Sequence, residues 1–192
     1  MTADLSRLLN ALGLVAVDTV LVLAFADQLW FRDLPCPICI LQRAGFIAAG
    51  FGIALNLIFG PRPSHYGLAI LGAVVGGIMS ADQVLHYIVP GSGSYGNTIF
   101  GLHLYTWALI MFAAIVAGCG VMQMFDRQYE PLEPIALSQV TLPLLAVALL
   151  ALLAVANVAS TLAICGVGLC PETPGGYLIF HENLGLALVK AP

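Results

Sequence analysis

Between Leu34 and Arg43 the chain reads LPCPICILQR: two thiols three residues apart, then an arginine four residues beyond the second. A Cys-x-x-Cys pair supports three chemistries, namely thiol–disulfide exchange, a structural disulfide, or thiolate ligation of zinc. A second pair, Cys165 and Cys170, stands near the other end of the chain, and Cys119 stands alone. On a helix Cys39 and Arg43 share a face, with Cβ atoms about 5–6 Å apart. A guanidinium in that place favours Cys39 as thiolate and can donate hydrogen bonds to a ligand carbonyl. The plainer reading of Arg43 is a snorkelling interfacial arginine.

The elements that must position these residues are written in the composition. Of 192 residues, 60% are apolar and 8% charged, against roughly 45–50% and 25% for a soluble domain. The expected fold class is an all-α integral membrane protein, and its solvent is the lipid bilayer. A net charge of −4 with only six basic residues argues against nucleic acid as a partner. A span needs about 20 apolar residues, and five stretches qualify: 8–31, 38–60, 66–89, 99–125 and 140–164. Their connections are short and rich in polar residues, Pro or Gly, as in PRPSH, PGSGSYGN and DRQYEPLEPIALSQ. Ala24-Phe25-Ala26 imitates a signal cleavage site. The first apolar run, however, exceeds the roughly 7–15 residues of a signal core, so this span is expected to be retained. Gly72-x-x-x-Gly76 and Ala48-x-x-x-Gly52 are small-residue pairs that let helices approach closely.

With five spans, the Cys36/Cys39 loop, the 90–98 loop and everything after residue 164 share one side. Four of the five cysteines therefore gather on one face of the membrane, while Cys119 lies deep in the fourth span and reads as a small packing residue. Arg7, Arg62 and Arg127 fall on the opposite side, against Arg32, Lys190 and the nearby Arg43, which orients the chain only weakly by the positive-inside rule. Cys36 and Cys39 sit at the start of the second span, where free backbone N–H groups and the helix dipole favour thiolate. A dithiol at the lipid boundary needs an acceptor for its electrons, and a quinone is a lipid-soluble two-electron acceptor.

His86 closes the third span and His103 opens the fourth, both at the depth of the first cysteine pair. Interfacial packing is the bland reading of each, and a bis-His haem the weaker alternative. Asp18 and Asp27 in the first span and Asp82 in the third are costly inside a membrane. They read as proton carriers or as helix-to-helix hydrogen bonds. The apolar part of the tail after Cys170 is too short to span, so it is expected to lie along the interface.

The run Cys36-Pro37-Ile38-Cys39-Ile40-Leu41-Gln42-Arg43 resembles the signature of the bacterial disulfide-bond formation protein B family, DsbB. The resemblance implies a thiol oxidoreductase of the bacterial inner membrane with its cysteines on the periplasmic side. It would reoxidise a DsbA-like periplasmic thiol oxidase and pass electrons to ubiquinone or menaquinone. It implies that Cys36 and Cys39 are the quinone-proximal pair and that Arg43 helps bind the quinone; a family histidine near the end of the third helix is matched to His86, with His103 as a second candidate. The family's founding type has four helices and carries its second cysteine pair between the third and fourth, where PGSGSYGN has none. Cys165 and Cys170 stand in for that pair on topological grounds. The expected organisation is a DsbB-like four-helix membrane core over 1–125, a cytoplasmic connection over 126–139, a fifth transmembrane helix over 140–164 and a periplasmic tail over 165–192. No metal is expected. Two rivals stand beside this reading. One is a thiol oxidoreductase of the vitamin K epoxide reductase type, disfavoured because its Cys-x-x-Cys belongs late in the bundle. The other is a non-catalytic membrane subunit or assembly factor with structural disulfides or a metal-binding cysteine cluster.

Overall fold

The structure, a computed structural model, describes residues 3–129, 141–166, 168, 170 and 174–178. Among the described residues five helices are long and apolar enough to cross a membrane: α1 (Ala3–Trp30), α2 (Pro37–Phe59), α3 (Pro63–Tyr87), α4 (Leu104–Gln123) and α5 (Thr141–Cys165). They form the expected all-α bundle. Each of the first two connections ends in a proline that opens the next helix, Pro37 for α2 and Pro63 for α3; proline suits the first helical turn because its missing N–H would have no partner there. α2 closes at Gly60, whose φ of 82° requires glycine.

The fourth span starts five residues later than hydropathy places it. Residues 98–103 instead form a two-stranded hairpin of β1 (Thr98–Ile99) and β2 (Leu102–His103), pairing Thr98 with His103 and Ile99 with Leu102. Gly101, at φ 79° in the turn, reverses the chain before the helix can begin. The interfacial cover expected of the tail falls largely outside the described residues, as does most of the 126–139 connection.

α2 is the central helix and packs most extensively on α3. A Cβ on Gly72 would lie 2.6 Å from the backbone N of Ala49, and one on Gly52 2.5 Å from that of Ala69. The small-residue pairs thus do the packing expected of them, since only hydrogens fit between these backbones. The core runs through all five helices, from Leu14, Val17 and Leu21 across Phe46, Ile53 and Ala69 to Phe112 and Leu150. Phe46 and Phe112 stack with ring centroids 3.9 Å apart.

At the end of the bundle away from Cys36, a buried polar network joins α1, α2, α3 and a 3-10 turn over Asp126–Tyr129. Tyr66 OH donates to Gln128 Oε1 at 3.0 Å, Asn10 Nδ2 to Tyr66 OH at 2.8 Å, and Asn56 Nδ2 to Asn10 Oδ1 at 3.1 Å. Such partners are obligatory where no water competes.

Candidate functional site: two disulfides and an apolar cavity

The site begins at the cap of α2. Cys36 is extended (φ −67°, ψ 163°), and its Sγ accepts the Cys39 backbone N–H at 3.0 Å, so the first cysteine is the helix's own N-cap. Cys36 and Cys39 form a disulfide with Cα atoms 4.9 Å apart. Cys36 is buried, whereas Cys39 is half-buried and lines a cavity of about 320 Å³ between α1, α2 and α4.

Cavity walls are overwhelmingly apolar, with Phe46 from α2 and Trp107 and Met111 from α4, and Arg43 belongs to the same wall as Cys39. Arg43 is 7% exposed. Its Nη1 donates to Gln28 Oε1 at 2.6 Å and its Nη2 to the carbonyl of Ala24 at 2.7 Å; its Cζ stands 4.8 Å from the Phe25 ring centroid. The guanidinium therefore donates hydrogen bonds to α1 while flanking the space beside Cys39.

α3 contributes Gln83, buried at 2% exposure. Its Nε2 lies 3.6 Å from Cys36 Sγ and 3.8 Å from Cys39 Sγ, and its Oε1 accepts from Gln42 Nε2 at 2.8 Å. An amide donor aimed at both sulfurs stabilises negative charge on either one. The rim carries Asp27 and Asp33, with Asn97 Nδ2 donating to Asp27 Oδ1 at 2.9 Å. Burial, and then the neighbouring Asp27, push the Asp33 carboxyl above its ordinary range, opposed by a hydrogen bond from the Asn97 backbone.

The second pair is also a disulfide, Cys165–Cys170, with Cα atoms 4.5 Å apart. Cys165 is buried at 4% exposure and forms a small apolar cluster with Ile40 and Ile164, against which Leu34, Cys170 and Tyr177 pack. Ile40 follows Cys39 directly. The end of α5 thus sits on the first turn of α2, and pairs separated by more than a hundred residues meet across one cluster.

The remaining candidates fall elsewhere. His86 is exposed near the end of α3, its ring edge-on to Tyr87 at 4.9 Å. His103 is the N-cap of α4, its ring parallel to that of Tyr105 at 5.1 Å. Neither lines the cavity. Cys119 is a free, buried thiol in the core. Among the described residues no three or more His, Cys, Asp or Glu side chains are grouped to hold a metal. Sequence reasoning passed over Gln28 and gave Gln83 no role. The available signal was their type, since an amide inside an apolar span has to find a partner.

These features define a class: a multi-pass membrane protein that holds two disulfides at one end of its bundle, one of them in the wall of an apolar cavity. Residues 6–92 match the family model described as disulfide bond formation protein DsbB. The disulfide bond formation protein B of Marinobacter nauticus is 28% identical over 163 residues, covering 66% of this chain and 95% of that relative. No solved structure matches. The chain is thus similar to the DsbB family over α1 to α3, and to a disulfide bond formation protein over about two thirds of its length. The family match spans α1, α2 and α3, so the cavity wall from α4 and the second cysteine pair lie beyond it.

Proposed function

We propose that the protein is a thiol:quinone oxidoreductase of the bacterial inner membrane that reoxidises a DsbA-like dithiol partner on the periplasmic side. The observation that carries this reading is the apolar cavity with Cys39 and Arg43 in one wall. Its residues suit a quinone: Phe46 and Trp107 line it with aromatic surface, and Arg43 is the donor that a carbonyl oxygen needs. When bound, ubiquinone or menaquinone supplies a two-electron, two-proton acceptor.

The chain's own residues supply an exchange route. Cys170 is more exposed than Cys165 and is the sulfur open to attack by a partner thiolate. That attack breaks the Cys165–Cys170 bond, forms a mixed disulfide at Cys170 and leaves the electron pair on Cys165. The partner's second thiol then closes its own disulfide, and two electrons and two protons have passed to Cys165 and Cys170. In the second exchange the Cys165/Cys170 dithiol reduces Cys36–Cys39. Attack at Cys36 leaves the thiolate on Cys39, the sulfur in the cavity wall, where Gln83 and the first turn of α2 stabilise it.

The test uses purified protein in detergent with a reduced thioredoxin-like dithiol and a soluble short-chain quinone. Wild type is expected to bleach the quinone absorbance, and Cys39→Ser and Cys165→Ser are each expected to lose turnover. Failure of Cys39→Ser alone would make the second disulfide structural, and an inert wild type would sink the oxidoreductase reading.

A further inference from the structure

Resting on the quinone reading above, we propose that Gln28 is a positioning residue through which α5 and the segment beyond the second disulfide set the Arg43 guanidinium in the quinone cavity. Gln28 is 3% exposed and has three side-chain partners from three parts of the chain. Its Oε1 accepts from Arg43 Nη1 at 2.6 Å. Its Nε2 donates to Ser160 Oγ of α5 at 2.9 Å and to Tyr177 OH at 3.2 Å. One amide therefore ties α2 to α5 and to a residue seven positions past Cys170.

The chemistry of the amide makes this a directional linkage. A glutamine can present its oxygen to Arg43 only while its nitrogen faces the opposite way, and Arg43, a donor only, selects that orientation. The Ser160 and Tyr177 hydroxyls, with Ser160 Oγ also 3.3 Å from Gln28 Oε1, anchor the amide in it. Without them the side chain can rotate, and Arg43 Nη1 loses an acceptor in a setting where no water replaces it. Arg43 keeps only the Ala24 carbonyl and its contact with Phe25. A guanidinium with one hydrogen bond fewer fits a ligand carbonyl less reproducibly, which appears as weaker binding of the ligand that it recognises.

Tyr177, like Cys170, also packs against the apolar cluster of Ile40, Ile164 and Cys165. Ser160 and Tyr177 flank the Cys165–Cys170 disulfide in sequence, so both hydroxyls on Gln28 come from the part of the chain that carries the second pair. α5 lines none of the cavity and acts on the oxidant site only through Gln28, besides carrying the second cysteine pair.

The experiment reads quinone binding directly. Trp107 lines the cavity whereas Trp30 is 84% exposed, so in a Trp30→Phe background the remaining fluorescence reports short-chain ubiquinone by quenching. The double variant Ser160→Ala/Tyr177→Phe is expected to weaken quinone binding about tenfold, as loss of orientation at one charged hydrogen bond implies. The KM for the dithiol partner should stay within about twofold, since Tyr177→Phe keeps the ring that packs on the Cys165 cluster and the two changes remove only the hydroxyls bonded to Gln28. Ser160→Thr, which keeps the hydroxyl, should bind quinone as wild type does. If the double variant is poorly folded by circular dichroism, Tyr177→Phe alone should still show about a threefold loss. Wild-type affinity in a folded variant lacking the hydroxyls, with binding weakened by Arg43→Ala, would overturn the linkage while leaving the quinone site standing. Equal quenching of wild type and Arg43→Ala would remove the quinone reading itself, and the linkage with it.

Discussion

Gly45 lies two residues past Arg43 and faces α3, where a Cβ would stand 2.6 Å from Gly76 Cα, 3.1 Å from Gly76 N and 3.2 Å from Phe112 Cζ. Non-bonded carbons rest about 3.5–4.0 Å apart, so Gly45→Ala requires α2 and α3 to separate by roughly 1 Å at this level. The nearest obstacle is backbone, and the Phe112 ring is buried at 1% exposure and stacked on Phe46, so no loose side chain absorbs the strain. A separation of that size also stretches the Gln42–Gln83 hydrogen bond, 2.8 Å long, toward the limit of useful geometry. Overpacking costs about 1–3 kcal/mol and the weakened hydrogen bond about 1 kcal/mol more, offset by at most about 1 kcal/mol of helix propensity. The expected net loss is about 1–3 kcal/mol. Gly77→Ala is the control, because its Cβ would meet Phe112 Cβ at an ordinary 3.5 Å; it should be neutral, or stabilising by up to about 1 kcal/mol. Unfolding in detergent micelles followed by circular dichroism gives both values, and quinone turnover should fall for Gly45→Ala alone. Equal stability of the two variants would refute the close α2–α3 approach on which the reasoning rests.

Gln83→Leu removes the amide donor beside both sulfurs and the acceptor for Gln42. It should slow quinone reduction by roughly three- to tenfold and raise the apparent pKa of the reactive thiol in an alkylation-rate profile, both at the scale of one hydrogen bond. Asp33 is expected to hold its proton above the ordinary value of 3.8. The folded state then binds more protons than the unfolded one in the window just above that value, and stability falls as pH rises through it, with the penalty retained at neutral pH. Asp33→Asn should therefore raise the melting temperature at pH 7, leave it nearly unchanged below that window, and flatten the slope between. Cys119→Ala should cost about 1 kcal/mol of stability, the value of a small buried group. Its dithiol and quinone kinetics should match wild type, because Cys119 belongs to the core cluster and to neither disulfide.

Hydropathy alone determined the five spanning helices found among the described residues, because a bilayer core admits backbone only where it is paired internally, as in a helix or a closed barrel, and each span carries its apolar length locally. The Cys36/Cys39 cap was legible for the same reason: Pro37 and the spacing to Arg43 are neighbours in sequence, and a helix start is a local event. The side shared by the two cysteine pairs followed from parity, which needs no tertiary information. What hydropathy could not see was the hairpin at 98–103, where Gly101 takes a positive φ inside a run apolar enough to be counted as span.

Only the tertiary structure decided which polar side chains surround the sulfurs. The histidines read as site residues lie outside the cavity, and Gln83, unassigned in the sequence reading, lies beside both cysteines. A helix face is set by rotation about its own axis, and in spans that are apolar on nearly every face no amphipathic stripe announces that rotation. The same holds for Gln28, Ser160 and Tyr177, which are far apart in the chain and meet because α5 packs against α1 and α2. Length and hydropathy fixed how many helices there are; the close glycine contacts between α2 and α3 and the buried hydrogen bonds fixed which faces they turn to one another, and so what stands next to the reactive sulfur.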